Sequence, residues 1–142
     1  MSKGNTFEND LMKLIFNATP IANIADNAAS GPLGHLRVAL HTGNPDETGN
    51  QTTSECAYGA YARVSVARTT AGWTVTNNSA SPAAAIEFPQ ATSGTETVTH
   101  WSVGTATSGT GKILYKGTVT PNIAVAAGVT PRLTTATAVT ED

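Results

Sequence analysis

The 142-residue sequence predicts an all-β fold: about eight short strands forming a sandwich or barrel, preceded by one N-terminal α-helix. Three observations predict it. Charged residues make up 13% of the chain, against roughly 25% in an ordinary soluble domain, and Thr, Ala, Ser, Gly and Asn take their place. Thr and Val, which suit a pleated surface, are abundant, while the helix formers Glu, Lys and Gln are scarce. From Leu36 onward the apolar residues recur with a period of two, broken at short intervals by turn-forming clusters.

The one convincing helix is residues 5–17. Asn5 or Thr6 can cap it, and Glu8 and Asp10 sit in the first turn, where the helix dipole favours acids. Phe7, Leu11, Leu14 and Ile15 fall on one face by their i, i+4, i+7, i+8 spacing. Thr19-Pro20 stops it. A short helix with one apolar stripe must dock on something, so Phe7, Leu11, Leu14 and Ile15 are the candidate partner-binding residues. The competing destination for that stripe is the protein's own sandwich. Residues 20–34, "PIANIADNAASGPLG", read as a connector. The chain thus divides into an arm over 1–30 and a β-sandwich domain over 31–142.

In the β region, "LRVAL" puts Leu36, Val38 and Leu40 on one face. "YARVSVA" puts Ala62, Val64 and Val66 inward and Tyr61, Arg63 and Ser65 outward. "GWTVT" offers Trp73 and Val75 to the core, and "AAIEF" offers Ile86 and Phe88. In "TVTHWSVG", Trp101 and Val103 point inward, which sends His100 outward. "KILYKGTV" places Ile113, Tyr115 and Val119 together. "IAVAAG" and a strand near Leu133–Val139 complete seven or eight strands, with "GNPDETGN", "TTAG", "NNSASP", "PQATSG", "ATSGTG" and "TPN" as the turns. The string "ATSGT" occurs at 91–95 and again at 106–110, which predicts a meander with a Ser-Gly turn at each end of one strand.

Several functions lack the residues they need. The net charge is −2 with no basic run, so the phosphate attraction that drives nucleic-acid binding has no source. Cys56 is the only cysteine; it cannot form an intrachain disulfide, and no neighbouring group in sequence activates it, so it reads as a small, partly buried thiol. The N-terminus lacks the apolar core of a signal peptide, and no run is long enough to span a membrane. "ATSGTGKI" at 106–113 glances at a phosphate loop, but Ala106 stands where Gly is required and a strand follows instead of a helix.

The most polar stretch is "LHTGNPDETGNQ", residues 40–51. With Glu55 it offers His41, Asp46 and Glu47 as nitrogen and oxygen ligands. No HxH, HxxxH or HExxH spacing accompanies them, and the acids do not keep a calcium-loop register. An exposed turn is therefore expected over 43–50, with no metal and no cofactor. No nucleophile elbow is present, and Glu87 and Glu96 read as outward strand-edge acids, not a glycosidase pair. No catalytic residue is assigned, and Trp73 and Trp101 read as core.

One longer pattern remains. "LRVALHTGNPDETGNQTTSECAYGAYARVSVART", with "WTV", "AAAIEFPQAT", "VTHWSVGTATSGTGKILYKGTVTP" and the ending "AVTED", resembles small virion proteins of tailed bacteriophages, often labelled tail-fibre proteins. Similar chains are capsid cement, or decoration, proteins of short-tailed phages. The resemblance runs from about residue 7 to the end. It implies a jelly-roll-like β-sandwich on the outer capsid surface of the virion, made in the host cytoplasm, binding the major capsid protein and working as a homo-oligomer, a dimer or trimer. It supplies no active-site residues. The alternative reading is a tail or fibre accessory protein, with glycan contact through an exposed aromatic such as Tyr58 or Tyr61.

Overall fold

The computed structural model describes residues 3, 5–21, 25 and 32–141. Among the described residues one helix, α1 (Asn5–Asn17), precedes nine strands: β1 (His35–His41), β2 (Val64–Ala67), β3 (Trp73–Thr76), β4 (Ser79–Pro82), β5 (Ile86–Glu87), β6 (Glu96–Gly104), β7 (Ile113–Val125), β8 (Arg132–Leu133) and β9 (Val139–Thr140). The all-β class with one N-terminal helix is what the structure shows. The strands form sheets ordered β2-β1-β6-β7, β3-β4-β9 and β5-β8. The connector expected over 20–34 falls largely outside the described residues.

The chain forms two compact units, each discontinuous in sequence. The first comprises Met1–His35, Val66–Ala85 and Thr134–Asp142. Its sheet pairs β3 with β4 and β4 with β9, both antiparallel, with Ala80 opposite Val139. Helix α1 packs on β3 and β4. The side chains it buries are Met12 and Phe16, both 0% exposed, and not the Phe7–Leu11–Leu14–Ile15 stripe. Phe16 meets Trp73 edge-on, with ring centroids 4.7 Å apart. Such a pair contributes about 0.5–1.5 kcal/mol beyond its burial. The Arg68 guanidinium closes the helix end: Nε donates to the Ile15 carbonyl, Nη2 to that of Leu14, and Nη1 to that of Leu33. These helix carbonyls have no intrahelical partner, so a fixed cationic donor satisfies both the hydrogen bonds and the dipole.

The second unit comprises Leu36–Ser65 and Ile86–Leu133. Strand β1 pairs antiparallel with β6, placing Leu40 opposite Trp101 and His41 opposite His100. Both faces of β1 are covered: Leu36, Val38, Ala39, Leu40 and His41 are all buried. The repeated "ATSGT" segments do flank one strand, β6, and Gly94 (φ 91°) and Gly109 (φ 70°) supply the left-handed turn positions. Trp101 and Val103 are buried, as the alternation predicts, and the indole lies across Gly117 on β7, where a Cβ would come within 2.8 Å of its nitrogen.

Three local expectations change. "TPN" is no turn: β7 runs through it as a single 13-residue strand. Its register against β6 shifts between Val98 and His100, and the bulge absorbs the irregular residues. The terminal strand expected near Leu133–Val139 is two short strands, β8 and β9, in different sheets. In "YARVSVA" the strand starts only at Val64. Before it, Ala62 is exposed, whereas the Arg63 side chain is 2% exposed. A carboxylate partner explains the inversion.

Candidate functional site

The stretch that carries most of the candidate ligands is a loop closed at its base. His41 bridges Glu55, the Thr42 N–H donates to the Ser54 carbonyl, and the Cys56 N–H to that of Leu40. The excursion between them divides its polar residues into three groups.

The first group faces inward. His41 is fully buried, with Nδ1 2.9 Å from the Thr53 carbonyl and Nε2 2.8 Å from Ser102 Oγ. A carbonyl can only accept, so Nδ1 carries the proton and Nε2 accepts from the Ser102 hydroxyl. Burial lowers the His41 pKa, with the Thr53 bond acting the other way. This serine–histidine contact has the outline of an activated nucleophile, but both residues are 0% exposed. Neither group is open to a substrate in this fold. Gln51 is likewise 0% exposed. Its Nε2 donates to the Arg37 carbonyl, its Oε1 accepts from the Ala106 N–H, and its own N–H donates to the Gly111 carbonyl. Gly104 and Gly111 make room for it: a Cβ at either would fall within 2.2 Å of the Gln51 amide group.

The second group is an ion-pair network. Arg63 grips Glu55 in a fork, Nε to Oε1 at 2.6 Å and Nη2 to Oε2 at 2.7 Å, while Nη1 and Nη2 also donate to the Ala106 and Gly109 carbonyls. The Tyr61 hydroxyl donates to Glu55 and accepts from the Leu40 N–H. Glu55 is thus engaged as the anchor of a buried cation. The hydrogen bonds to Glu55 hold the Arg63 pKa up, and burial pushes the Tyr61 phenol up.

The third group faces outward. Asp46 and Glu47 are exposed, as expected of the turn, although Pro45 between the loop walls is buried. Asp46 adopts a left-handed φ of 58°, and its N–H donates to Asn44 Oδ1, which also accepts from Lys116 Nζ. Asp46, Glu47 and Gly49 form one wall of a shallow groove of about 420 Å³; Ile113, Leu114, Tyr115 and Lys116 form the other. Among the described residues, no His, Cys, Asp and Glu side chains gather in a metal-binding group.

The remaining candidates are placed as follows. Cys56 is 3% exposed, and burial, reinforced by Glu96, pushes its thiol up to about 12. Glu87 pairs with Arg132 at the surface, and the Glu96 carboxylate accepts from the Ala57 N–H. Tyr58, expected as an exposed aromatic, is 3% exposed, and its hydroxyl donates to the Pro89 carbonyl. Tyr61 is half-buried, stacked against Phe88, with both roles of its hydroxyl used. The buried Tyr58 ring offers no face to a glycan. On α1, Phe7 is 42% exposed, and Leu11, Leu14 and Ile15 are half-buried. No helix among the described residues is long and apolar enough to cross a membrane.

Compared with known proteins, residues 3–140 match the model of the family described as Podophage GP4 fiber I protein gp80. No curated protein matches the chain.

Proposed function

The chain belongs to this podophage fiber family, a family of phage virion structural proteins, and from that premise we propose that it is a fiber-associated structural component that works by binding and without catalysis. The observation that carries the proposal is the extent of the match, residues 3–140, which spans both units. The site geometry supports it. The titratable and nucleophilic side chains around this loop, His41, Ser102, Glu55 and Cys56, are spent on internal hydrogen bonds or buried. What remains outward is a set of surfaces: the apolar stripe of α1 and the groove beside Tyr115.

On this reading α1 presents Phe7, Leu11, Leu14 and Ile15 to a protein neighbour. The groove, with an aromatic ring, two carboxylates and an ammonium, takes over the host-facing glycan contact first expected of Tyr58 or Tyr61. Repeated weak contacts suffice for such a component, because each later contact in an assembled particle forms at high effective concentration.

Copy number tests the proposal. Antibody-gold labelling and asymmetric cryo-electron reconstruction of virions should find few copies, confined to the tail. Hundreds of copies over the shell would refute the fiber assignment and restore the capsid-cement reading, with the major capsid protein as partner.

A further inference from the structure

We propose that the groove between the 43–50 loop and β7 holds an uncharged, linear polysaccharide chain, lying lengthwise along the free edge of β7, and rejects acidic sugars. This rests on the glycan reading of that groove given above, to which it adds the class of glycan and the direction in which it lies. Strand β7 is the outermost of its sheet, and no strand among the described residues pairs with its far edge. Tyr115 stands opposite Val103 and Lys116 opposite Ser102, so these two neighbours project to opposite faces. A groove lined by both follows the edge of the strand and not one of its faces. Ile113 to Lys116 spans about 10 Å of that edge, longer than one pyranose ring, so a chain runs through the groove where a single terminal sugar would leave it part-filled.

The edge is ill suited to a protein strand. Its register against β6 shifts between Val103 and Gly104, which leaves Leu114 as the extra residue of a bulge, and Lys116 sets a charge on the rim. Bulges and lysines are devices that keep a sheet edge from pairing with another chain. Sugar hydroxyls need no register: each both donates and accepts, and so can use edge N–H and C=O groups alike. The opposite wall then selects by charge. Asp46 and Glu47 take part in no salt bridge among the described residues, while the Lys116 ammonium is held by Asn44 Oδ1. Two carboxylates that only accept call for a ligand rich in donors and free of negative charge. A uronic acid, a sialic acid or a phosphate would bring a like charge against them. Ile113, Leu114 and the half-buried Tyr115 supply the apolar side against which the C–H face of a pyranose packs.

The full chain, displayed in many copies on fluorescent beads, is applied to an array of linear bacterial oligosaccharides, neutral ones beside ones containing uronic or sialic acid, with extended basic peptides as a parallel set. Hits confined to neutral sugars are expected. In NMR titration a trisaccharide of the best hit should bind about tenfold more tightly than its single sugar. Glu47→Ala, at an exposed position that does not threaten folding, should weaken that binding about tenfold through loss of a charge-assisted hydrogen bond. Tyr115→Ala should weaken it in the same direction. Hits on acidic sugars would overturn the charge selection and leave the glycan reading of the groove standing, and equal binding of the single sugar would overturn the lengthwise placement. No glycan hit, a hit indifferent to both Glu47→Ala and Tyr115→Ala, or capture of peptides in place of sugars would overturn the proposal and the glycan reading together. The fiber assignment survives each of these results, because copy number on the virion decides it separately.

Discussion

Replacing Gln51 by Glu keeps the side-chain shape and changes one atom, which makes it a sharp probe of the loop's internal anchor. In the native protein the amide donates to the Arg37 carbonyl and accepts from the Ala106 N–H, both at 3.1 Å, with no solvent exposure. An ionised Glu keeps the second bond and turns the first into two acceptors face to face. A buried polar group left unsatisfied costs about 1–3 kcal/mol, and more when charged, so the variant should lose about 3 kcal/mol or more at neutral pH. Protonation reverses this, because a carboxylic acid can donate to Arg37 while its carbonyl still accepts from Ala106. The folded-state pKa of the introduced acid is therefore raised above the unfolded value of about 4.3. The penalty is absent below that unfolded value and grows with rising pH until the folded pKa is passed. Its slope is at most about 1.4 kcal/mol per pH unit. Urea unfolding of variant and wild type across acidic to neutral pH, taken as a difference, isolates this term from other titrations. Gln51→Leu supplies a control whose difference stays flat with pH. A loss below about 1 kcal/mol at neutral pH, or a Glu penalty that does not shrink on acidification, would refute the bridging role.

The wild-type protein should itself lose stability as pH falls below 6.5, because burial holds His41 neutral in the fold, and the slope should diminish in His41→Asn; melting curves between neutral and mildly acidic pH check this. Arg63→Ala strands Glu55 and should cost about 3–5 kcal/mol by chemical denaturation, whereas a loss within about 0.5 kcal/mol would mean the pair is solvated. Asp46→Gly should be neutral or slightly stabilising, since the left-handed φ of 58° suits glycine, and Glu47→Ala should stay within about 0.5 kcal/mol; thermal melts decide both. With its thiol pushed up to about 12, Cys56 should react with a thiol-specific dye in mildly alkaline buffer only as fast as the protein opens, so rapid labelling of native protein would contradict its burial.

The parts of the fold legible in sequence were those governed by local periodicity. Alternation alone put Leu36, Val38, Trp73, Ile86, Phe88, Trp101 and Val103 in the core, and the repeated Ser-Gly strings marked both turns around β6. Alternation failed where a polar group was buried for a distant partner. Arg63 alternates outward on paper, yet Glu55 and two carbonyls draw it in. Gln51 carries no pattern of its own; the glycines at 104 and 111, which leave room for it, are its only trace in the sequence. The helix span was readable, but its docking face was not, because Met12 and Phe16 compete with a more regular stripe. The outward loop was correctly placed as a turn, while the groove it forms depends on β7, some seventy residues further along.

The first unit is drawn from three separated stretches, and its central strand β4 pairs with β3 next to it in sequence and with β9 near residue 140. Order of synthesis is therefore not order of completion. As the chain leaves the ribosome, α1 and the β3–β4 hairpin must wait while the second stretch of the other unit, Ile86–Leu133, is made before their sheet receives its third strand. During that interval the docking surface for Phe16 is a two-stranded hairpin, marginal by itself in water. A fragment ending after β6 holds neither unit entire, so stepwise release of nascent chains should show protease resistance arriving late and for both units nearly together.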